Sequence, residues 1–345
     1  MEIGQKLVIK KNKLDTWVER LMKIGDVVAP VKENDEFFFK PIQDIKNYTM
    51  NHEIPYIPPK DLIFPQSENL FEYSRDSKGI QIKPLFAGKK QIVLGIRSCD
   101  VEAAAYVDHF FRDTFEDPYY FNRRKNTIFI SLGCNKAFEN CFCICCDAGP
   151  FDPKGYDLQM IDLGDQYLTE IGSREGAEVI SKDQDLFSVA KDEDLKKAEE
   201  IKKKARDTFK EPIAYMSYAI RKITTDRVPK EIWDELGERC VDCGGCTFVC
   251  PLCTCFTVED IATNQNGGRR FRCWDSCNYS GFTREVSGHN PRGDKGERFK
   301  RRFFHKLSYQ YIEKYLRHQC VGCGRCITAC PAGVDMPSVV KRLRG

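Results

Sequence analysis

Histidine is scarce in this chain, long apolar runs are missing, and the common nucleotide-binding loops do not occur. Only five histidines are present among 345 residues, and His289, His305 and His318 read as structural. No stretch approaches the ~20 apolar residues needed to cross a bilayer; "QIVLGI" is a typical short run and reads as a buried strand. The first fifteen residues, "MEIGQKLVIKKNKLD", show no apolar signal core or small-residue cleavage site. The expectation is a cytoplasmic protein without a membrane segment. No G-x-G-x-x-G opens a helix, no G-x4-G-K-[ST] is present, and no C-x-x-C-H marks a haem. With no Ser–His–Asp or paired-carboxylate arrangement either, no catalytic residue is assigned.

What is there is cysteine. Eighteen occur, none before Cys99, and most sit in tight groups. A 345-residue chain with 41% hydrophobic and 30% charged residues builds a core without disulfides. In a reducing compartment such grouping points to metal or cluster ligation.

Two segments answer each other. "CVDCGGCTFVCP" (Cys240, Cys243, Cys246, Cys250) and "CVGCGRCITACP" (Cys320, Cys323, Cys326, Cys330) both read C-x2-C-x2-C-x3-C-P. Three closely spaced thiolates wrap one corner of a [4Fe–4S] cube, and the fourth, before proline, reaches the other cube. Gly244, Gly245 and Gly324 let the loops turn tightly. The expected ligands of cluster one are Cys240, Cys243, Cys246 and Cys330; those of cluster two are Cys320, Cys323, Cys326 and Cys250. Structural zinc, usually held by paired C-x2-C hooks, fits two full repeats poorly.

Ten cysteines remain. They are Cys99; Cys134, Cys141, Cys143, Cys145 and Cys146 of "CNKAFENCFCICC"; and Cys253, Cys255, Cys273 and Cys277. Isolated buried cysteine is common and inert, but groups of this density suggest a third centre. Cys99 and Cys134 would converge if the strands before them are neighbours, with Cys141 and Cys143 in reach. Cys253, Cys255 and Cys277 form a second candidate set without an obvious fourth ligand. One extra cluster, two, or a zinc ion are all compatible with the spacing.

The pattern predicts an α+β chain. Residues 1–182 read as an α/β domain with a Cys-rich segment at 134–146, in which "KKQIVLGIRSCDVEAAAYVDHFF" runs strand, turn, helix with Asp100 as a possible cap. Residues 183–230 read as a charged helical linker with i,i+4 ion pairs. Residues 231–345 read as a two-cluster ferredoxin-like domain with a long insert at 251–319. Between Arg269 and Lys306 that insert carries eleven Lys/Arg against four Asp/Glu. No nucleic-acid module accompanies the charge, so a docking face for an acidic ferredoxin or partner subunit is the expectation.

Beyond the repeats, "FPQSENLFEY" (64–73), "RSCDVEAAAYVD" with "CNKAFENCFC", and "CPLCTCF…WDSC…HK" (Cys250 through Lys306) resemble the β subunits of soluble sulfhydrogenases and the A subunits of anaerobic sulfite reductases. The family pattern takes in Cys99, Cys134, Cys141, Cys143, Cys253, Cys255 and Cys277, but not Cys145, Cys146 or Cys273. Where the family usually has C-P-T-C, this chain has "CPLC". The resemblance implies a non-catalytic iron–sulfur subunit of anaerobic metabolism. It would relay electrons between a flavoprotein subunit that reacts with NAD(P)H and a catalytic subunit, such as a NiFe hydrogenase or a sulfite reductase; a soluble ferredoxin is a further candidate partner. The alternatives are an enzyme subunit binding a flavin or deazaflavin in its N-terminal domain, and an iron–sulfur sensor or scaffold.

Overall fold

The computed structural model describes residues 1–209 and 215–344. In chain order the strands are β1 (Lys6–Lys10), β2 (Asp26–Glu33), β3 (Glu36–Pro41), β4 (Ser67–Asp76), β5 (Gly79–Pro84), β6 (Gln91–Ile96), β7 (Thr127–Leu132), β8 (Leu158–Asp162), β9 (Gln166–Ile171), β10 (Phe187–Val189), β11 (Phe256–Asn264) and β12 (Gly267–Trp274). Eight form one sheet in the order β10-β1-β9-β8-β7-β6-β2-β3. The pairs β2–β6, β6–β7 and β7–β8 are parallel and the others antiparallel. The remaining four form a second sheet, β11-β12-β4-β5. The chain is α+β, as its pattern predicts.

The short apolar runs are the centre of the large sheet because both its faces are covered. Successive side chains of a strand point to opposite faces. Ile92 and Leu94 of β6 accordingly pack with Trp17, Val18 and Leu21 of the helix Leu14–Met22. Val93, and Ile96 beyond a register shift that follows Leu94, pack with Val101, Val107 and Phe111 of the helix Ser98–Arg112. This register puts Cys99 and Cys134 just beyond the C-terminal ends of two neighbouring parallel strands, where open α/β sheets place their sites.

The stretch expected as a helical linker opens instead with β10, which closes the edge of the sheet against β1. Its charged helix, Asp192–Asp207, buries Ala198 and Ala205. Ala198, with Leu195 and Ile201, packs on Val8 and Leu168 of the sheet. Along that helix the described residues form no i,i+4 ion pair and one i,i+3 pair, Lys202–Glu199 at 2.8 Å. Residues 210–214 of that stretch lie outside the described residues.

The C-terminal helices share another core. Trp233, Leu236, Phe299, Phe303, Val340 and Leu343 are its centre, and the half-buried cysteines Cys240, Cys250, Cys323, Cys326 and Cys330 pack on it. The insert does not stay within this unit. Its hairpin β11–β12 pairs with β4, Phe271 opposite Asn69 and Arg272 opposite Glu68. The stretch 64–73 therefore belongs to a sheet that joins both halves of the chain.

Candidate metal centre

The sequence repeat is also a backbone repeat. Asp242 and Gly244 of the first loop have φ of 51° and 71°; Gly322 and Gly324 of the second have 61° and 80°. Each loop runs straight into a single-turn helix, Gly245–Phe248 or Arg325–Thr328. Glycine supplies the left-handed turn at little cost, and aspartate is among the few other residues that tolerate it. Glycine has a second role in the later loop. A Cβ at Gly322 would stand 2.5 Å from the Phe142 carbonyl oxygen, and one at Gly324 2.5 Å from that of Asn140. The bare backbone is what lets the Cys-rich segment of the N-terminal half lie against this loop, where Phe142 N–H donates to Gly322 O at 2.8 Å.

Cys320, Cys323, Cys326 and Cys250 line a single cavity walled by Phe142, Leu252 and Met336. Four thiols around one apolar cavity suit a cube with sulfur ligands at its corners. In the other expected set, Cys243 is exposed while Cys240, Cys246 and Cys330 are half-buried. Val334 N–H donates to Cys330 Sγ at 3.3 Å and Asn278 Nδ2 to Cys246 Sγ at 3.6 Å. Among the described residues, no three His, Cys, Asp or Glu side chains converge as ligands of a single ion.

The other cysteines separate into two groups. Cys99, Cys134, Cys141 and Cys143 line one cavity. Burial pushes all four thiols up, Cys141 to about 12. Cys253, Cys255 and Cys277 gather elsewhere, beside Cys250. The hydrogen bond from Cys253, then the Lys306, Arg302 and Lys60 charges, hold the Cys250 thiol well below its usual value against burial. Cys277 is lowered to about 6 by its hydrogen bond with Cys255, burial opposing and Arg302 and Lys306 assisting. Cys146, outside the family pattern, hydrogen-bonds with Cys320. Cys145 packs half-buried on the C-terminal core, and Cys273 stands on β12 opposite Ser67.

The basic stretch is not simply a docking face. Of its eleven cations, Arg272, Arg298, Arg302 and Lys306 are buried. Arg272 pairs with Glu68 at 2.6 Å and Asp117 at 2.7 Å, pinning β12 to β4. Arg298 donates to Asn278 O and Asp242. Lys306 Nζ lies 3.3 Å from Cys250 Sγ and Arg302 Nη1 4.0 Å from Cys253 Sγ. Lys60, from the N-terminal half, donates to Cys253 O at 2.8 Å with its ammonium over the Trp274 ring. Burial costs a cation several kcal/mol unless a counter-charge offsets it. Lys306 nevertheless stays charged, because the Cys250 and Cys253 sulfurs outweigh burial and raise its pKa. For Lys60, Arg302 and Lys306 the neighbouring acceptors are sulfur and carbonyl oxygen, with no carboxylate partner among the described residues.

Asp100 does not cap its helix; Arg97 holds that position. Asp100 accepts both arms of the Arg325 guanidinium at 2.6 and 2.8 Å, in a pair that is almost fully buried. Since Asp100 follows Cys99 and Arg325 precedes Cys326, the pair ties the two cysteine regions together. Spacing gave no sign of it. Burial pushes the His305 imidazole down to about 3 and that of His318 to about 4.

Two comparisons bear on this geometry. The 4Fe-4S dicluster domain family matches residues 239–334, which hold both repeats and the insert. Over 329 residues, 95% of each chain, the protein is 28% identical to sulfhydrogenase 2 subunit beta of Pyrococcus furiosus. No helix among the described residues is long and apolar enough to cross a membrane. The twin loops lie within the dicluster match, and along nearly its whole length the chain is similar to a sulfhydrogenase β subunit; both support an iron–sulfur subunit of electron transfer.

Proposed function

We propose that this chain relays electrons inside a multi-subunit oxidoreductase, from a flavoprotein subunit reduced by NAD(P)H to a catalytic subunit of the hydrogenase or sulfite reductase type, or in the reverse direction. The observation that carries the reading is the cavity bounded by Cys250, Cys320, Cys323 and Cys326, beside a second loop of the same backbone form. In this reading cluster one is held by Cys240, Cys243, Cys246 and Cys330, and cluster two by Cys320, Cys323, Cys326 and Cys250. Bound there, [4Fe–4S] clusters supply one-electron chemistry over a range of roughly −700 to +450 mV.

The chain's own residues do the rest. Crossed ligation makes Cys250 and Cys330 hold the two loops at a fixed separation. Phe142, Leu252 and Met336 keep water from cluster two, which strengthens every charge interaction inside the cavity. Lys306 and Arg302 place positive charge at the sulfur side, where added negative charge is favoured. In this reading the spacing of the clusters and their potentials are the mechanism.

The test is an anaerobic relay assay with the fully clustered chain placed between an NAD(P)H-reduced flavoprotein and a viologen acceptor. Faster viologen reduction with the chain present is expected. A folded, fully clustered chain that neither takes electrons from the flavoprotein nor passes them on would refute the reading.

A further inference from the structure

We infer that Cys99, Cys134, Cys141 and Cys143 hold a third iron–sulfur cluster, of the [4Fe–4S] class, lying outside the dicluster domain and against cluster two. The centre goes beyond the relay reading, since the dicluster match ends at residue 239 on its N-terminal side.

Three observations carry it. The four thiols come from three separate places, the start of the helix Ser98–Arg112, the turn after β7 and the segment 141–143, yet line one cavity. Among the described residues no three His, Cys, Asp or Glu side chains converge as ligands of a single ion, as a structural zinc site requires. Gly149 leaves room beside the ligands, since a Cβ there would stand 3.1 Å from Cys143 Sγ.

Its placement suits electron exchange. Cys323 of cluster two also lines this cavity, and Cys141 Sγ lies 3.9 Å from Cys323 O. On the far side, Ile54 and Phe138 form a wall shared with an open surface pocket that carries Asp35, Glu36, Glu53 and Glu139. Cys323 lines both pockets, so the third centre and cluster two border the same surface. The step it performs is one electron received from the reduced neighbouring cluster, which is thereby oxidised, with no bond made or broken.

Iron, acid-labile sulfide and zinc are measured on the full chain purified anaerobically, with EPR of the dithionite-reduced protein. About twelve irons per chain are expected, against about eight if only the dicluster domain is loaded. Cys141→Ser and Cys134→Ser should each lose about four irons and one EPR component while the two coupled dicluster signals persist; Cys255→Ala should keep all of them. The inference is overturned by a wild-type count near eight, by zinc in place of the third complement of iron, or by iron loss on Cys255→Ala with none on Cys141→Ser. Because the wild-type count alone separates eight from twelve, a variant that does not fold leaves the question decidable. A protein with twelve irons that fails the relay assay would refute the proposed function and leave this site standing.

Discussion

Replacing Lys306 by methionine removes a buried positive charge 3.3 Å from Cys250 Sγ while keeping the length of the side chain. The charge cannot be screened by salt, because the ammonium is buried and its other contact is Gln319 O at 3.2 Å. Taking ~6 Å from the ammonium to the centre of the added electron, and an effective dielectric of ~20, the interaction amounts to ~3 kcal/mol. For a one-electron couple that corresponds to ~120 mV. Lys306→Met should therefore lower the midpoint potential of cluster two by about 100 mV, with cluster one shifting less. Lys306→Arg keeps the charge and should stay within ~30 mV of the native value, a difference of only ~0.7 kcal/mol. The assay is an EPR-monitored redox titration on protein whose iron content has been checked first. A Lys306→Met variant with full iron and an unshifted potential would refute both the placement of this charge and the assignment of Cys250 to cluster two.

Three further outcomes are expected. Asp100→Asn leaves the buried Arg325 charge without its carboxylate and should cost about 3–5 kcal/mol in anaerobic denaturant unfolding; adding Arg325→Met should recover part of that loss. Gly322→Ala combines a φ of 61° with a 2.5 Å approach to Phe142 O, so it should destabilise by more than ~1 kcal/mol and loosen the 140–143 segment, read as faster amide exchange there. Burial pushes the Asp152 carboxyl up to about 8. The fold therefore keeps a proton that the unfolded chain releases above pH ~4, and stability falls as pH rises through this window. Asp152→Asn should remove that fall, gaining ~2 kcal/mol relative to wild type between pH 6 and pH 8; an unchanged pH slope would show the carboxyl to be ionised throughout.

The cysteine loops were legible because ligand spacing is local: a C-x2-C-x2-C run must turn tightly wherever it lies. Buried strands were legible for the same reason, and β6 and β7 deliver Cys99 and Cys134 side by side as their apolar runs suggest. Partners distant in sequence were not. The pairing of β12 with β4 links Arg272 to Glu68 across 204 positions, and no short window records it. The basic stretch shows the same blindness to burial. Its charge reads as a surface, yet Arg302 and Lys306 point inward because the thiol-rich region needs cations. Asp100 looks like a cap by position, but its carboxylate serves Arg325 from the other half of the chain. Gly324 reads as a turn residue, yet it and Gly322 also make room for a backbone about 180 residues upstream.

The measurement that tests the account most directly is controlled-potential coulometry of the purified holo-chain, set against its iron content. The account predicts reversible uptake and release of one electron for about every four irons present. Intact clusters that exchange no electrons, or take them up irreversibly, would contradict it.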